Sequence, residues 1–454
     1  MRLRVCLVQL PVRPPAEAER ALDDALSAIQ EGADRGATLV VLPRATGCAV
    51  PAVGGKPVAV PPWSTLVRLV AGAARQAGVY VAAGFEQAVD EPSGPSRPVI
   101  GLFDPSGSLV ATTGGGPSRM AARASQGVPG PDVVDTAVGR LGLLLGDDLV
   151  DPVPARRLAE VGVSALLVPS ALEARSREAA AERQVAIDRP RARARENGIA
   201  VLVADWSGKS GTHRLLGTTA AYGPGGTRLA MVAPGRAGVC LCELELPLPL
   251  LRRSRGARLP TTPPHLPPKP RRRLVVAVAQ GPDHGTWVPG AAPFAADLLV
   301  APLPPKGLGP TACVARTSVG RARVMVPGRA TREVVRGERF VAGHRVVDAG
   351  SVSVGVLFAD EITAPEPARL LAAAGAQVLV LFHESLDVED SRFWSRVRAR
   401  ENGVAVVVSG RPQGTILGPD GRVAVEGALR RSAVVGASVT VGGSRRRVAS
   451  TSRA

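Results

Sequence analysis

The chain has 454 residues, of which 45% are hydrophobic and 21% charged, and this composition excludes a collagen-like, mucin-like or wholly disordered protein. Its length predicts more than one domain. The formal net charge of +17 favours a polyanion as partner, but arginine so far outnumbers lysine that we attribute much of this charge to GC-rich coding.

The cysteines and the apolar segments bear on the compartment. Five cysteines, an odd number in a long chain, do not suit a disulfide framework, so we expect a reducing compartment and a cytoplasmic location. No segment reaches the ~20 apolar residues of a membrane span. The apolar start of the chain is too short for a signal peptide and predicts a first strand.

From the first residues onward, the chain alternates strand-like and helix-like segments, as in a layered α/β domain. Val239–Leu246 alternates in hydrophobicity, and we expect an extended arm there rather than a core strand. The other predicted elements, in chain order, are strand Val5–Leu10, helix Ala16–Arg35, strand Thr38–Leu42, helix Leu66–Ala74, strand Val79–Phe85, the hairpin Val99–Phe103 and Leu109–Thr112, and strands Leu141–Leu145, Ala165–Val168 and Ile199–Ala204.

A change in composition divides the chain. Residues 251–273 are rich in proline and arginine and lack acidic residues and periodicity, which is typical of a linker. We therefore predict a domain at 1–250, the linker at 251–273, a second domain at 274–440 and a basic tail at 441–454.

An internal repeat relates the two halves. Arg193–Val203 recurs as Arg398–Val408 with nine identities in eleven positions, and Thr38–Pro43 resembles Asp297–Pro302. The matched segments lie closer together in the second half, so the second copy is shortened. We expect most of the loss between residues 303 and 355, where the hairpin of the first copy would lie.

Several separated motifs, in the same order in both halves, resemble the nitrilase (carbon-nitrogen hydrolase) superfamily. They are Gly36–Arg44, Gly142–Asp148 with Gly355–Glu361, and the Arg-Ala-x-Glu-Asn sequence that occurs twice. The resemblance implies an α/β fold of two nitrilase-like αββα sandwich domains, the second shortened. It also implies that the domains pair with each other as an internal pseudo-dimer.

The superfamily's chemistry requires a Cys nucleophile, a Glu general base and a Lys that stabilises the tetrahedral intermediate. By the resemblance, Arg44, Gly115 and Gly146 hold the Glu, Lys and Cys positions of the first copy. Leu303 and Ala359 hold the Glu and Cys positions of the second copy, whose Lys segment we place in the deletion. The resemblance therefore implies no catalytic residue of this kind in either copy.

Acidic residues cluster at the first nucleophile position. Asp147, Asp148 and Asp151 could form a hard-metal site or an acid–base pair, but carboxylates are also typical of helix N-termini, and we favour that explanation. The resemblance places Arg44 opposite this cluster. Arg44, Asp147 and Asp148 could therefore fill a relict pocket or bind a small acidic ligand.

Other constellations predict no cofactor or metal. The five histidines lack ligand spacing, and Gly114–Gly116 is poorly placed for a phosphate loop. Cys240 and Cys242 should face one side of an extended segment. Aromatic residues make up 3% of the chain and offer few platforms for base stacking, so nucleic acid is not favoured.

We favour a non-catalytic tandem protein of nitrilase type that binds or scaffolds a protein or small acidic ligand. One alternative is a related enzyme with a repurposed site in a biosynthetic pathway. Another is a basic module that binds a polyanion through the linker and tail.

Overall fold

The computed structural model describes residues 2–14, 17–48, 63–88, 96–114, 132–174, 179–210, 213–246, 272–280, 297–301, 312–318, 321–325, 331–335, 345–349, 352–383, 387–410, 414–426 and 433–441. They form two compact units divided between Gly256 and Ala257. Within the described residues, no helix combines the length and hydropathy needed to cross a bilayer.

The first unit alternates strands and helices as its hydrophobic periodicity predicts. Its helices are α1 Ala18–Asp34, α2 Trp63–Ala77, α3 Pro152–Glu160 and α4 Ala179–Asn197. Its strands are β1 Arg2–Pro11, β2 Leu39–Val41, β3 Tyr80–Ala88, β4 Ser96–Phe103, β5 Leu109–Gly114, β6 Val133–Thr136, β7 Gly139–Leu143, β8 Ala165–Pro169, β9 Glu173–Ala174, β10 Ala200–Ser210, β11 His213–Leu216, β12 Ala220–Tyr222, β13 Arg228–Met231 and β14 Gly238–Glu245.

These strands form two runs joined by β10. One run has the order β5-β4-β3-β2-β1, with β14 antiparallel to β1. The other has the order β6-β7-β8-β10-β12-β13. The first half of β10 pairs with β8, and its second half pairs with β1, with Asp205 opposite Gln9.

Three apolar clusters make the first unit an αββα sandwich. Val5 and Leu7 of β1 face Leu167 and Leu202 between the two runs. Ile29 and Val70, on α1 and α2, cover the outer face of the first run, which includes Val40. Leu158 of α3 and Ala194 of α4 pack on the outer face of the second run with Leu166 and Val201. Burying these faces accounts for the layers.

The second unit repeats the strand order. Its elements are β15 Arg272–Gln280, β16 Leu298–Ala301, β17 Ala312–Ser318, β18 Arg321–Met325, β19 Arg332–Val335, β20 Val346–Asp348, β21 Ser353–Phe358, α5 Pro365–Ala373, β22 Val378–His383, α6 Val388–Asn402, β23 Ala405–Gly410, β24 Thr415–Leu417, β25 Val423–Glu426 and β26 Ala433–Val441. The sheets are ordered β19-β18-β17-β16-β15-β26 and β20-β21-β22-β23-β24-β25.

Each neighbouring pair in these sheets has the same parallel or antiparallel sense as the corresponding pair of the first unit. Val276 and Val300 of one sheet pack with Val356, Val380 and Val407 of the other. In the described part of this unit, α5 and α6 cover the second sheet, on β21 and β23.

The structure corrects which element the second copy is expected to lack. The antiparallel run β17-β18-β19 corresponds in order to β3-β4-β5, so the hairpin expected to be lost is present. The shortening lies partly before it, because ten residues separate β16 from β17 and 38 separate β2 from β3, where α2 lies. Matching sequence motifs placed most of the loss between residues 303 and 355, but it did not reveal the hairpin there, since the hairpin sequences differ.

The expected extended arm is instead an edge strand. β14 pairs with β1 from Gly238 opposite Gln9 to Glu245 opposite Arg2. Its alternation arises because one face packs on the core between the sheets, where Cys240 and Cys242 both lie. The prediction that these two thiols share a face is confirmed.

Candidate functional site

The candidate site lies at the end of β2, where the chain turns sharply after Pro43. The backbone N–H of Arg44 donates to the carbonyl of Ser170 at 3.1 Å. The indole N–H of the buried Trp206 donates to the carbonyl of Arg44 at 2.5 Å. Ala45 follows with φ 58°, in the left-handed region that non-glycine residues rarely adopt. These contacts fix the loop and aim the Arg44 side chain.

The Arg44 guanidinium lies between two carboxylates from different elements. Its Nε donates to Oε1 of Glu86 at 2.7 Å, and its Nη1 lies 3.7 Å from Oδ2 of Asp147. The Glu86 side chain is 1% exposed, that of Arg44 19% and that of Asp147 56%. The buried partner is thus Glu86 on β3, which sequence reasoning missed because no motif marks it.

Gly146, which the resemblance assigns to the nucleophile position, has no room for a side chain. It begins the 3-10 turn Gly146–Val150 after β7. A Cβ built on Gly146 would overlap Oγ of Ser170 and lie 2.8 Å from its Cβ. Ser170 is buried, and its hydroxyl donates to the carbonyl of Val168 at 3.3 Å. Ser170, another residue that sequence reasoning missed, therefore occupies the space into which a thiol would project.

The three aspartates of the acidic cluster contact different partners. Oδ2 of Asp148 accepts from the backbone N–H of Leu145 at 3.0 Å, and Asp151 caps α3 by accepting from the N–H of Val153 at 3.0 Å. Asp147 faces Arg44. Burial raises the pKa of Asp148 to about 6, with further contributions from Asp147 and a neighbouring aspartate. The structure therefore brings Arg44 and Asp147 together and turns Asp148 to the backbone.

The corresponding turn of the second unit, Ala359–Ile362, follows β21. Oε2 of Glu361 accepts from the backbone N–H of Phe358 at 2.9 Å, and Nη1 of Arg345 lies 2.8 Å from both Glu361 oxygens. Gly115 and Leu303 lie outside the described residues.

The repeated Arg-Ala-x-Glu-Asn motif ends a helix in each unit, and two of its contacts are the same in both. The buried ion pair Arg193–Glu196 spans 2.5 Å, and the pair Arg398–Glu401 spans 2.7 Å. The Asn that follows donates a hydrogen bond from its Nδ2 to the backbone carbonyl of the Arg, at 2.8 Å in the first unit and 2.9 Å in the second. The motif therefore stabilises a helix end in both units.

A second repeated feature was missed at the sequence level. The turn between β12 and β13 closes with Gly226 at φ 75°, and the turn between β24 and β25 closes with Gly421 at φ 76°. A Cβ on Gly226 would lie 3.1 Å from the carbonyl oxygen of Arg191, and one on Gly421 would lie 3.0 Å from that of Arg396. In each unit, close approach to the motif helix requires glycine.

The thiols of four cysteines are poor nucleophiles because they are held in the protonated form. Burial raises the pKa of Cys6, Cys48, Cys240 and Cys242 to about 12. Across the described segments, no three His, Cys, Asp or Glu side chains are grouped to hold a metal ion.

Comparison with solved structures finds nitrilase-superfamily amidases. An amidase from Nesterenkonia sp. and two variants of the Nesterenkonia AN1 amidase, one of them in complex with butyramide, are each 25% identical to this chain. Each match covers 53% of this chain and 90% of the amidase, with a TM-score of 0.42. No curated protein matches the chain.

The family model for carbon-nitrogen hydrolases matches residues 4–249, which is more than half of the chain. The matched segment includes the loop of Arg44, the turn at Gly146 and the first Arg-Ala-x-Glu-Asn helix. The chain therefore belongs to the carbon-nitrogen hydrolase family.

Proposed function

We propose that this chain is a non-catalytic member of the carbon-nitrogen hydrolase family that binds or scaffolds a partner. The observation that carries the proposal is the packing of Ser170 against Gly146, which leaves no space for a nucleophilic side chain at the turn. A family thiol at this point would have to displace a buried serine.

The charge at position 44 supports the same proposal. A general base must accept a proton, and an arginine guanidinium remains protonated in proteins. Arg44 is also held by the buried Glu86 at 2.7 Å. With pKa values raised to about 12, the described thiols Cys6, Cys48 and Cys242 do not offer a substitute thiolate at neutral pH.

We further propose that the two units are degenerate tandem copies, with the domains at 1–250 and 274–440 joined by the linker 251–273 and followed by the tail 441–454. Three features support this. The strand order and sense agree. The motif helices share a buried Arg–Glu ion pair and an Asn–Arg hydrogen bond, and the turns at Gly226 and Gly421 both approach a carbonyl oxygen of those helices. The pairing of the domains as a pseudo-dimer stays a prediction from the sequence.

The charges at the site favour scaffolding over capture of an acidic ligand. The single positive charge of Arg44 is balanced by Glu86, and Asp147 stands 3.7 Å from the same guanidinium. An acidic ligand would have to compete with Asp147 for Arg44 and would meet further negative charge from Asp148 above pH 6.

Ammonia release tests the proposal against a repurposed enzyme. Because solved neighbours are amidases, one of them in complex with butyramide, the panel should include aliphatic amides, nitriles and carbamates, with a competent amidase as positive control. We expect rates equal to those of buffer alone. Saturable turnover that is lost in an Arg44→Ala variant would establish the repurposed enzyme instead.

A further inference from the structure

A buried carboxylate closes the equivalent turn in each unit. Oδ2 of Asp148 accepts from the N–H of Leu145 at 3.0 Å, and Oε2 of Glu361 accepts from the N–H of Phe358 at 2.9 Å. In both turns the acceptor lies three residues after the donor. The two carboxylates therefore have the same local role.

In the second unit, the carboxylate of Glu361 is paired with the guanidinium of Arg345. Arg345 is 3% exposed, and its Nη1 lies 2.8 Å from both oxygens of Glu361. The guanidinium carbon also lies 5.7 Å from the centre of the Phe358 ring.

Strand register identifies the residue that takes the place of Arg345 in the first unit. Val133 pairs with Gly142, and Val346 pairs with Gly355. Gly142 and Gly355 precede Asp148 and Glu361 by the same number of residues. Asp132, just before Val133, therefore stands where the second unit has Arg345. At this position the first unit has an acidic residue and the second unit a basic one.

The other charges around Asp148 do not restore the missing cation. Asp147 lies on the same turn and adds negative charge, as does Asp132, which accepts from the hydroxyl of Thr113. Arg44, from the loop after β2, lowers the pKa of Asp148, but its guanidinium is already paired with Glu86 at 2.7 Å. Helices α3 and α4 also pack against the turn, and they carry Arg156 and the ion pair Arg193–Glu196.

We infer that the turn Gly146–Val150 is a proton-sensitive element of the fold, in which Asp148 binds a proton under mildly acidic conditions and thereby strengthens the first unit. Glu361, by contrast, is paired with Arg345. Burial raises the pKa of Asp148 from its ordinary value of 3.8 to about 6, so between these values the folded chain holds a proton that the unfolded chain releases. The free energy of unfolding therefore rises as the pH falls through this interval. Above the interval, the ionised Asp148 carboxylate lowers the stability of the folded chain.

Thermal unfolding of the full chain at about pH 7.5 and about pH 4.5 tests this inference. We expect Asp148→Asn, which keeps an acceptor for the N–H of Leu145, to raise Tm by about 5 °C at the higher pH and by much less at the lower pH. Asp132→Arg, which introduces a positive charge as at Arg345, should also raise Tm more at the higher pH than at the lower pH. The matched control Glu361→Gln should lower Tm at both pH values, because it leaves Arg345 buried without its anion.

A Tm difference for Asp148→Asn that does not change with pH, or a variant less stable than the parent at the higher pH, would overturn the inference. A second measurement does not depend on how the variants fold. Carboxyl-carbon NMR of the full chain labelled at aspartate should show one resonance that titrates near pH 6 and is missing in Asp148→Asn. A midpoint near the ordinary value of 3.8 for that resonance would also overturn it.

Discussion

Nε of Arg44 donates a 2.7 Å hydrogen bond to a carboxylate oxygen of Glu86, and that carboxylate is almost completely buried. The pair joins the loop after β2 to the neighbouring strand β3. In the superfamily resemblance, position 44 belongs to the general base. Here the residue at that position is a cation that forms an ion pair with a carboxylate from the next strand.

Removing Arg44 should therefore destabilise the first unit. Arg44→Leu leaves the Glu86 carboxylate buried without its cation, and we expect a loss of about 3 kcal/mol in the free energy of unfolding, measured in urea. Arg140→Leu is a matched control, since Arg140 also lies 2.7 Å from a carboxylate, that of Asp135, but this pair is exposed. It should cost less than about 1 kcal/mol. Equal losses for the two variants would show that the Arg44 pair is not a buried one.

Introducing the family nucleophile should require a second substitution. Gly146→Cys places a Cβ against Oγ and Cβ of Ser170, and we expect it to lower stability by about 1–3 kcal/mol. Ser170→Gly leaves only the Cα of residue 170, 3.3 Å from that Cβ, so the double variant should recover most of the loss. Gly72→Cys is the control, because a Cβ there meets nothing within 4 Å.

Neither Gly146→Cys nor its double variant with Ser170→Gly should hydrolyse amides. Arg44 cannot deprotonate the introduced thiol, and Gly115 supplies no cation. The fair test of the assigned positions adds Arg44→Glu and Gly115→Lys to the double variant. Activity from Gly146→Cys alone would mean that another residue serves as base and that the positions are assigned wrongly.

The two repeated turns should respond alike to a methyl group. Gly226→Ala and Gly421→Ala combine a positive φ with close contacts to the motif helix, and each should cost about 2–3 kcal/mol in unfolding free energy. Gly235→Ala separates the two effects, since Gly235 has φ 77° but a Cβ there meets nothing within 4 Å. It should cost about 1–2 kcal/mol. A large loss at one turn and a negligible loss at the other would contradict their equivalence.

The buried cysteines should resist alkylation. With pKa values raised to about 12, Cys6, Cys48 and Cys242 hold very little thiolate at about pH 8, and their side chains are inaccessible. Peptide mapping after iodoacetamide treatment should find them modified at least about a hundredfold more slowly in the native chain than in denaturant. Fast labelling of any of the three in the native chain would show that its environment is wrongly described.

The sequence was most informative where local patterns and burial coincide. Buried strands such as β2 and β8 are short apolar runs, and their alternation with amphipathic helices indicated the layers before any coordinates. The motifs at Arg193 and Arg398 could be matched in the sequence because each arginine makes a buried ion pair within its own helix, so the motif is local. Val239–Leu246 was misassigned as an arm because the partner that makes it a strand, β1, is far away in sequence.

The contents of the site depended on contacts that no motif encodes. Glu86 lies on β3 and Ser170 follows β8, and only the packing of separate strands brings them to Arg44 and Gly146. The pKa of Asp148 likewise depends on burial and on residues from other elements. Sequence reasoning proposed which positions lack the family's catalytic residues, but it did not predict the residues that pack around Arg44 and Gly146.

Intact-mass spectrometry tests the absence of a covalent route most directly. The full chain is incubated with fluoroacetamide and with aliphatic amides near neutral pH, alongside a competent amidase that forms the adduct. If Gly146 supplies no nucleophile, the Ser170 hydroxyl stays hydrogen-bonded to the carbonyl of Val168 and the buried thiols remain protonated, then the mass of the chain should not change. An added acyl or acetamide mass on the native chain, located by peptide mapping to any residue near Arg44, would contradict a non-catalytic site.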